Sequence, residues 1–406
     1  MISPQKRPPI IALSPHAWWN HWLSRQQLLS RLGEQGWPIV YSFGPVNFWE
    51  RHTKPWNECP WLGRMVEQDG VLVDYPGRLA PLWPRFPAWD RWLSRQHALA
   101  LKRAISKYGD CDELIVFLFH PMFQPWLEWL EPKHVVYHVF DAHNMMKNWD
   151  SDLGSYEQTI IEQADLVTTS SEGMLANLPG QGRVKGRVLN NGADSVTFMK
   201  AVGSEAPADL AKVPRPRIGY VGSLNAKMDL EMLLVVTERR PEWNWVFLGP
   251  TYFNGQDPAS VLARDRWNRL VERGNVHYFG RKPREEMPAY VNNMDILTIC
   301  YKIANIDQGD AESWVVHGYP TKLHEFLATG LPVVAGRQQV IVDHFSHVVQ
   351  LADDADSWER AIVDGLENGG VGTPTTRQQV ALENTWDSRV DKLSAWLDDM
   401  VKASKG

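Results

Sequence analysis

The sequence is poor in cysteine and has no long apolar run. Cys59, Cys111 and Cys300 are widely spaced and odd in number, and none belongs to a Cys-x-x-Cys pair. This excludes a disulfide framework and gives no sign of a zinc site. No apolar stretch approaches the roughly 20 residues that a membrane helix needs, and the apolar segment 9–13 is too short for a secretory signal. We therefore expect a cytoplasmic protein.

The sequence also lacks a basic excess. Its formal net charge is -6, and the acidic surplus lies entirely after residue 200. Because nucleic-acid binding depends on clustered Lys and Arg, a nucleic-acid partner is excluded. With 406 residues, 44% of them hydrophobic and 22% charged, the chain is too long for one ordinary core and too balanced for disorder. Two domains of about 200 residues each are the natural expectation.

Short apolar runs alternate with amphipathic segments in both halves of the chain. This pattern is typical of βα units and predicts an α/β protein with two doubly wound, Rossmann-like domains. A helix is predicted at 19–32, and strands are predicted at 10–13, 38–43, 71–75, 114–119, 135–140, 166–169, 187–189, 217–221, 245–248, 276–279, 296–300, 332–334 and 348–351. The Pro- and Ala-rich segment 199–216 has linker composition. We thus predict domains at 1–198 and 217–380, followed by a helix in 381–406 that packs back toward the first domain. Ligands of such domains bind beyond the carboxyl ends of the strands, so a cleft between the two sheets is the expected site.

The first motif is Ile218-Gly-Tyr-Val-Gly222-Ser223-Leu-Asn-Ala-Lys227-Met-Asp229, which predicts a strand, a turn and a helix. Glycine allows close approach of a ligand to the backbone, a helix N-terminus carries partial positive charge, and Lys227 adds a full charge. Together they suit a diphosphate, although an ordinary strand-to-helix turn is an equal alternative. The spacing Gly219-x-x-Gly222 does not match the dinucleotide fingerprint, which argues against a dehydrogenase.

The second motif is Gly318-Tyr-Pro-Thr-Lys322-Leu-His-Glu325-Phe-Leu-Ala-Thr-Gly330-Leu-Pro332-Val-Val-Ala335. It predicts a helix of about ten residues that begins after a proline and ends at Gly330. Lys322 in the first turn suits a phosphate, and Glu325 on nearly the same face suits two ribose hydroxyls. The apolar neighbours of these residues argue against a solvent-exposed Lys–Glu pair.

With these residues, the sequence resembles GT-B glycosyltransferases of the family 4 type, and among them the bacterial polysaccharide-assembly transferases of teichuronic acid synthesis. The resemblance also covers segments 164–171, 191–194 and 385–389. It implies retaining transfer from a UDP- or GDP-linked sugar to a saccharide or lipid-linked acceptor, with no cofactor and no metal. The implied donor-binding residues are Gly222, Ser223, Lys227, His317, Tyr319, Pro320, Thr321, Lys322, Leu323 and Glu325.

The sequence departs from this family in two places. The family has Glu eight residues before the position of Glu325, where this chain has His317, so His317 either replaces that group on the donor sugar or is an ordinary loop histidine. The loop after the first strand carries His16 where relatives have a glycine-rich loop. The resemblance places Asp141, where many relatives have His, beside the reacting carbon, as a base toward the acceptor or a stabiliser of developing positive charge. His16, His120 and His143 are assigned to the acceptor side, whereas His138 is expected to be a core residue.

Two further segments mimic functional signals. Asp150-Ser-Asp152 resembles a metal motif of another transferase architecture, but Asp at a helix start is usually a cap, and we reject a metal site there. Residues 82–95 interleave Trp and Phe with Arg, side chains that favour lipid headgroups, and this predicts either a peripheral contact with the inner face of the membrane or a loop that closes over the first domain.

Two other functions fit the same scaffold. A nucleotide-sugar 2-epimerase also uses two nucleotide-binding domains and differs from a transferase only on the acceptor side. A non-catalytic protein that binds sugar nucleotides is the second alternative, because His317 and the absent glycine-rich loop both depart from the transferase pattern.

Overall fold

A computed structural model describes residues 7–19, 22–140, 151–303 and 318–404. The chain divides into two compact units. Residues Met1–Asn190 and Arg389–Gly406 form the first unit, and Asn191–Ser388 form the second. Each unit is built on one largely parallel sheet, as the sequence predicted, so the α/β class is confirmed.

The first unit contains an eight-stranded sheet in the order β3-β4-β2-β1-β5-β6-β7-β8. All its neighbouring strands are parallel except the edge pair β3 and β4. The central strand pairs Ile10 with Ile39 on one side and with Ile115 on the other, and both of its faces are buried. Its strands are β1 Ile10–Leu13, β2 Ile39–Ser42, β3 Arg64–Gln68, β4 Val71–Tyr75, β5 Ile115–Leu118, β6 His134–Val139, β7 Leu166–Thr169 and β8 Gly186–Val188.

Helices cover this sheet. The helix predicted at 19–32 begins only at Ser24, where the Gln26 side chain accepts a hydrogen bond from the Leu23 N–H (3.0 Å). The next long helix begins at Pro87, since proline fits the first turn and Asp90 accepts the Trp83 N–H (2.6 Å). The helices of this unit are α1 Ser24–Glu34, α2 Lys54–Glu58, α3 Pro87–Ile105, α4 Trp126–Leu130, α5 Ser151–Gln163, α6 Glu172–Ala176 and α7 Gly182–Lys185.

The edge strand β3 was missing from the sequence prediction. Its side chains are mostly polar and partly exposed, so it lacks the apolar run that identified the other strands. It joins β4 through Asp69 and Gly70, which both have positive φ. An Asp-Gly pair of this kind is the preferred two-residue hairpin turn, and it is the signal that would have revealed the strand.

The second unit contains a six-stranded parallel sheet in the order β11-β10-β9-β12-β13-β14. Its strands are β9 Arg217–Val221, β10 Asn244–Leu248, β11 Val276–Tyr278, β12 Ile296–Ile299, β13 Val333–Gly336 and β14 Gln350–Ala352. Its helices are α8 Ser195–Lys200, α9 Leu230–Arg239, α10 Pro258–Val271, α11 Met287–Asn292, α12 Lys322–Ala328, α13 Gln339–Phe345, α14 Ala355–Asn368, α15 Pro374–Glu383 and the start of α16 Trp386–Ala403.

The predicted boundary at 198 and the linker at 199–216 differ from the structure. Phe198, Leu210 and Val213 are buried in the core of the second unit. The Asp209 carboxylate accepts hydrogen bonds from the Tyr290 hydroxyl (2.7 Å) and from Lys282 Nζ (2.6 Å). The Pro- and Ala-rich composition therefore marks a folded part of the second unit, which begins at Asn191.

The helix predicted in 381–406 is interrupted. The chain leaves the helical path at Asn384, whose carbonyl accepts the Ala193 N–H (3.1 Å), while the Ala193 carbonyl accepts the Trp386 N–H (3.3 Å). The following helix α16 continues into the first unit, where Ser394 accepts a hydrogen bond from the Trp37 indole (3.0 Å). Across the part of the chain that the structure describes, no helix is both long and apolar enough to span a membrane.

Candidate functional site

Two glycines follow neighbouring strands of the second sheet and lie in direct backbone contact. Gly222, after β9, has φ +135, and its N–H donates to the Leu248 carbonyl (2.9 Å). Gly249, after β10, has φ +140, and a Cβ there would lie 2.0 Å from the Gly222 carbonyl oxygen. Only glycine fits such a close approach at positive φ. The tight turn predicted at Gly222 is thus present at the carboxyl end of β9.

Lys322 lies over this turn. A Cβ placed on Gly222 would be 2.5 Å from Lys322 Nζ, and the lysine is only 9% exposed. Its Nζ lies 4.0 Å from the ring centre of Tyr220 and 5.1 Å from that of Tyr301. Among the described residues it forms no ion pair with a carboxylate. A buried cation that lies against aromatic rings, with no carboxylate ion pair among the described residues, suits an anionic ligand, because such a ligand would offset the cost of burying the charge.

The loop from Ser223 to Asp229 is fixed along its length. The exposed Ser223 offers its carbonyl to the Tyr220 hydroxyl (3.0 Å), and the Lys227 carbonyl accepts the Lys302 N–H (2.7 Å). Asp229 then caps α9 by accepting the Met232 N–H (3.0 Å). Lys227 is partly exposed on this loop. The predicted order of strand, turn, lysine and helix is therefore present.

Glu325 lies in the first turn of α12, the helix that begins at Lys322. Part of the residue is exposed, but its carboxyl group lies among protein atoms, and this burial raises its pKa to about 7. The nearby Asp194 charge acts in the same direction, whereas Arg284 and Lys322 oppose it. Near neutral pH the carboxyl group is thus divided between its charged and neutral forms.

Glu325 lines a cavity of about 310 Å³ in the second unit. Arg284 and Asp194 face the same cavity and form an ion pair (2.6 Å), so this part of the wall is already neutralised. The size lies within the usual range for small-molecule sites. The complete lining is Asp194, Thr197, Phe198, Val221, Arg284, Glu285, Met287, Pro288, Val291 and Glu325.

Other residues of the second motif support the helix. Leu323 is fully buried in the core, and the Tyr319 hydroxyl forms a hydrogen bond with Nε2 of the buried His324. The Pro320 carbonyl accepts the Leu323 N–H (3.0 Å), and the Thr321 side chain is exposed at the N-terminal end of the helix. The side chains of Tyr319 and Leu323 thus hold α12 in place.

The histidines predicted for the first unit occupy different environments. His16 is exposed and offers its carbonyl to the Tyr41 hydroxyl. His120 Nδ1 accepts the Met122 N–H (3.2 Å) and so caps a short turn. His138 is buried against Thr168 (2.8 Å), and burial lowers its pKa to about 4, which is the core role expected for it. The predicted residues Asp141, His143 and His317 lie outside the described residues.

The sequence did not predict the aromatic rings that contact Lys322 or the Arg284–Asp194 ion pair beside Glu325. Tyr220 belongs to β9, Tyr301 follows β12, and Arg284 follows β11. No local spacing connects these positions, because parallel strand order alone brings them together. Within the described part of the chain, no group of three or more His, Cys, Asp or Glu residues is arranged to hold a metal ion.

No family model matches the chain. The chain is 29% identical over 185 residues to "Putative teichuronic acid biosynthesis glycosyltransferase TuaH" of Bacillus subtilis (strain 168). This match spans 44% of the chain and 42% of that protein, less than half of either.

Solved structures resemble the whole chain. Sucrose-phosphate synthase from Thermosynechococcus elongatus matches 98% of this chain over 100% of its own length, with TM-score 0.68 and 16% identity. HepE of Anabaena in complex with UDP and glucose matches 96% over 99% (TM-score 0.65, 13% identity). The E. coli trehalose-6-phosphate protein bound with UDP-2-fluoro glucose matches 96% over 98% (TM-score 0.64, 14% identity). At these identities the likeness concerns the fold, and the chain has the GT-B fold.

Proposed function

We propose that this protein, a chain with the GT-B fold, is a glycosyltransferase that moves a sugar from a nucleoside diphosphate sugar to an acceptor. The observation that carries the proposal is Lys322, a buried cation over the Gly222 turn with aromatic neighbours and no carboxylate partner among the described residues. The similarity to a curated glycosyltransferase supports it. That relative also makes the epimerase and the non-catalytic binder less favoured.

The donor is assigned to the second unit. Its diphosphate lies on Lys322, with Lys227 and the backbone at Gly222 and Ser223 as further contacts, because charged donors make the strongest hydrogen bonds to phosphate oxygens. The two lysines supply the positive charge that the diphosphate requires, and no metal or cofactor is part of the proposal. The structurally similar HepE was solved with UDP and glucose, and this favours UDP over GDP as the carrier.

Glu325 is assigned to the ribose. A carboxylate accepts hydrogen bonds from both ribose hydroxyls, which requires its charged form. Since burial raises the Glu325 pKa to about 7, the free protein is only partly ready to bind at neutral pH. Donor affinity should therefore increase between pH 6 and pH 8. The 310 Å³ cavity beside Glu325 offers space for part of the nucleotide.

The residues assigned to the transfer step are supported only by the resemblance of the sequence to family 4 glycosyltransferases. Asp141 acts as base toward the acceptor hydroxyl or stabilises positive charge on the sugar ring, and transfer proceeds with retention. His317 contacts the donor sugar in place of the family glutamate. His16, His120 and His143 line the acceptor side.

The acceptor is a saccharide or a lipid-linked saccharide of a bacterial surface polymer, and the protein works at the inner face of the membrane. Phe86 and Trp92 are exposed, and each directly follows an arginine, Arg85 and Arg91 respectively, which supports a peripheral contact through residues 82–95. Indole rings and arginine side chains both favour the headgroup region of a bilayer.

The test combines binding and turnover. The purified protein is screened by thermal shift against UDP-, GDP- and ADP-sugars, since a ligand that binds only the native state raises its stability. The best donor is then incubated with and without candidate acceptors, and the products are identified. Transfer that is lost in Asp141→Ala while donor binding survives supports the proposal. An epimerised donor would favour the epimerase, and binding without turnover across donors and acceptors would favour the non-catalytic binder.

A further inference from the structure

The first unit contains a larger cavity of about 560 Å³, and its lining includes none of the residues assigned above to the donor or to the acceptor side. It lies beside the edge hairpin of β3 and β4, where α3 forms one wall. We call this cavity the α3 groove. Most of its lining is apolar and includes Trp61, Leu62, Leu79, Leu93, Ala100 and Ala104.

The exposed apolar residues of the α3 groove are held in place. Trp61 is 66% exposed and Leu79 is 63% exposed. The Leu79 N–H donates to the Trp61 carbonyl (3.2 Å), the Arg78 N–H donates to the Pro60 carbonyl (2.9 Å), and the Arg78 guanidinium lies 4.8 Å from the Trp61 ring centre. A fixed, exposed apolar surface of this kind usually marks a binding site.

The charge of the α3 groove is positive. Arg64, Arg103 and Lys107 line it, and none of them forms an ion pair with a carboxylate in the described ranges. The single carboxylate in the described lining, Asp74, is buried and already bonded to Ser42 Oγ (2.6 Å) and His97 Nε2 (2.6 Å). The groove therefore combines an apolar surface with three cations that have no carboxylate partner among the described residues, and this combination complements an anion attached to a hydrocarbon chain.

We propose that the α3 groove binds a lipid phosphate. The hydrocarbon chain packs against Trp61, Leu62 and Leu79, and Arg64, Arg103 and Lys107 bind the phosphate. A second copy of this chain fits less well, because a symmetric contact would place the three cations of one protomer close to the same three cations of its partner, and like charges repel. The proposal relies on the transferase function in one respect only, namely that the lipid would carry the acceptor saccharide.

The binding test uses soluble alkyl probes and no sugar donor. Dodecyl phosphate, kept below its micelle concentration, is titrated calorimetrically into the full chain. Dodecyl maltoside retains the chain but has a neutral head, and butyl phosphate retains the head but has a short chain. Dodecyl phosphate should bind with one saturable site, and the other two at least tenfold more weakly. Equal binding of dodecyl maltoside and dodecyl phosphate would overturn the proposal, because the cations would then have no role.

Variants locate the site. Ala104→Trp fills the α3 groove from α3, and Gln158→Trp adds the same ring to an exposed position of α5, outside both the groove lining and residues 82–95. The first should weaken dodecyl phosphate binding at least tenfold, and the second should leave it unchanged. The double variant Arg103→Ala/Lys107→Ala should also lose at least tenfold, with Lys133→Ala as its control. Because Arg103 and Lys107 are exposed, the double variant should fold, and it tests the phosphate site even if Ala104→Trp does not fold.

Two further readouts separate the remaining explanations. Sedimentation of each variant reports the oligomeric state. If Ala104→Trp turned a dimer into a monomer and left dodecyl phosphate binding intact, the groove would be an interface between copies and the proposal would be wrong. Donor binding measured on the same variants should be unchanged. A donor that binds no form of the protein would refute the transferase and leave the lipid site standing.

Discussion

The substitution Lys322→Met separates the two consequences of burying a cation. The lysine is 9% exposed, and its described surroundings offer aromatic rings in place of a carboxylate. Methionine has a similar length and no charge. It forgoes cation–π attraction of about 1–2 kcal/mol, but it also removes a desolvation cost of several kcal/mol for a buried charge. We expect the free energy of unfolding to stay the same or to rise by about 1 kcal/mol.

Donor binding should change in the opposite direction. A hydrogen bond between a charged group and a phosphate contributes roughly 1.5–3 kcal/mol, which corresponds to a loss of about 10- to 150-fold in affinity. Calorimetric titration with the best nucleotide sugar measures this loss, and urea unfolding measures the stability. Lys200→Met is the matched control, because Lys200 is exposed on the same unit. A variant that is less stable by about 2 kcal/mol or more, or that binds the donor as tightly as the wild type, would contradict the role assigned to Lys322.

Three further predictions follow from the same structure. Since burial raises the Glu325 pKa to about 7, donor affinity should increase from pH 6 to pH 8. Glu325→Gln should bind the donor more weakly, and its affinity should not vary with pH over this range. If the pH dependence of donor affinity were the same in Glu325→Gln, the assignment of Glu325 to the ribose would be wrong. Gly222→Ala places a Cβ against Lys322 Nζ at φ +135, so it should reduce stability by about 1–3 kcal/mol and weaken donor binding. Gly274 has open space around it, so the control Gly274→Ala should change neither stability nor donor binding. Burial lowers the His138 pKa to about 4 from 6.5, so the neutral ring's contribution to stability is complete above pH 6.5 and is lost as the pH falls toward 4. Urea unfolding at pH 7 and pH 4.5 should show that His138→Asn removes up to roughly 3 kcal/mol of this loss of stability in acid. The same loss in the wild type and the variant would contradict this prediction.

The strands and the α12 region followed from local pattern. The runs at Ile10–Leu13 and Arg217–Val221 were predicted with the bounds that the structure has, because buried parallel strands are continuous apolar segments with clear ends. Lys322 was likewise predicted in a first helical turn, since Pro320 and Gly330 mark the limits of the helix. A signal contained in ten or fifteen consecutive residues is visible without the fold.

Features that depend on tertiary packing could not be predicted. The rings that hold Lys322 come from β9 and from the residue after β12, far apart in the sequence. The Arg284–Asp194 ion pair beside Glu325 was missed because Asp194 was assigned to the first domain. Its segment joins the second unit through buried Phe198 and Leu210, whose spacing forms no periodic stripe. Linker composition was a misleading guide there, since a few buried anchors outweigh it.

A crystal structure of the protein with UDP would show whether Lys322 binds the diphosphate of the donor. In that structure, diphosphate oxygens should lie within about 3 Å of Lys322 Nζ at the Gly222 turn, and the ribose hydroxyls should contact the Glu325 carboxylate. UDP bound elsewhere, or bound with Lys322 still seated over Tyr220 and Tyr301 and no phosphate within hydrogen-bond distance, would contradict the assignment of Lys322 to the diphosphate.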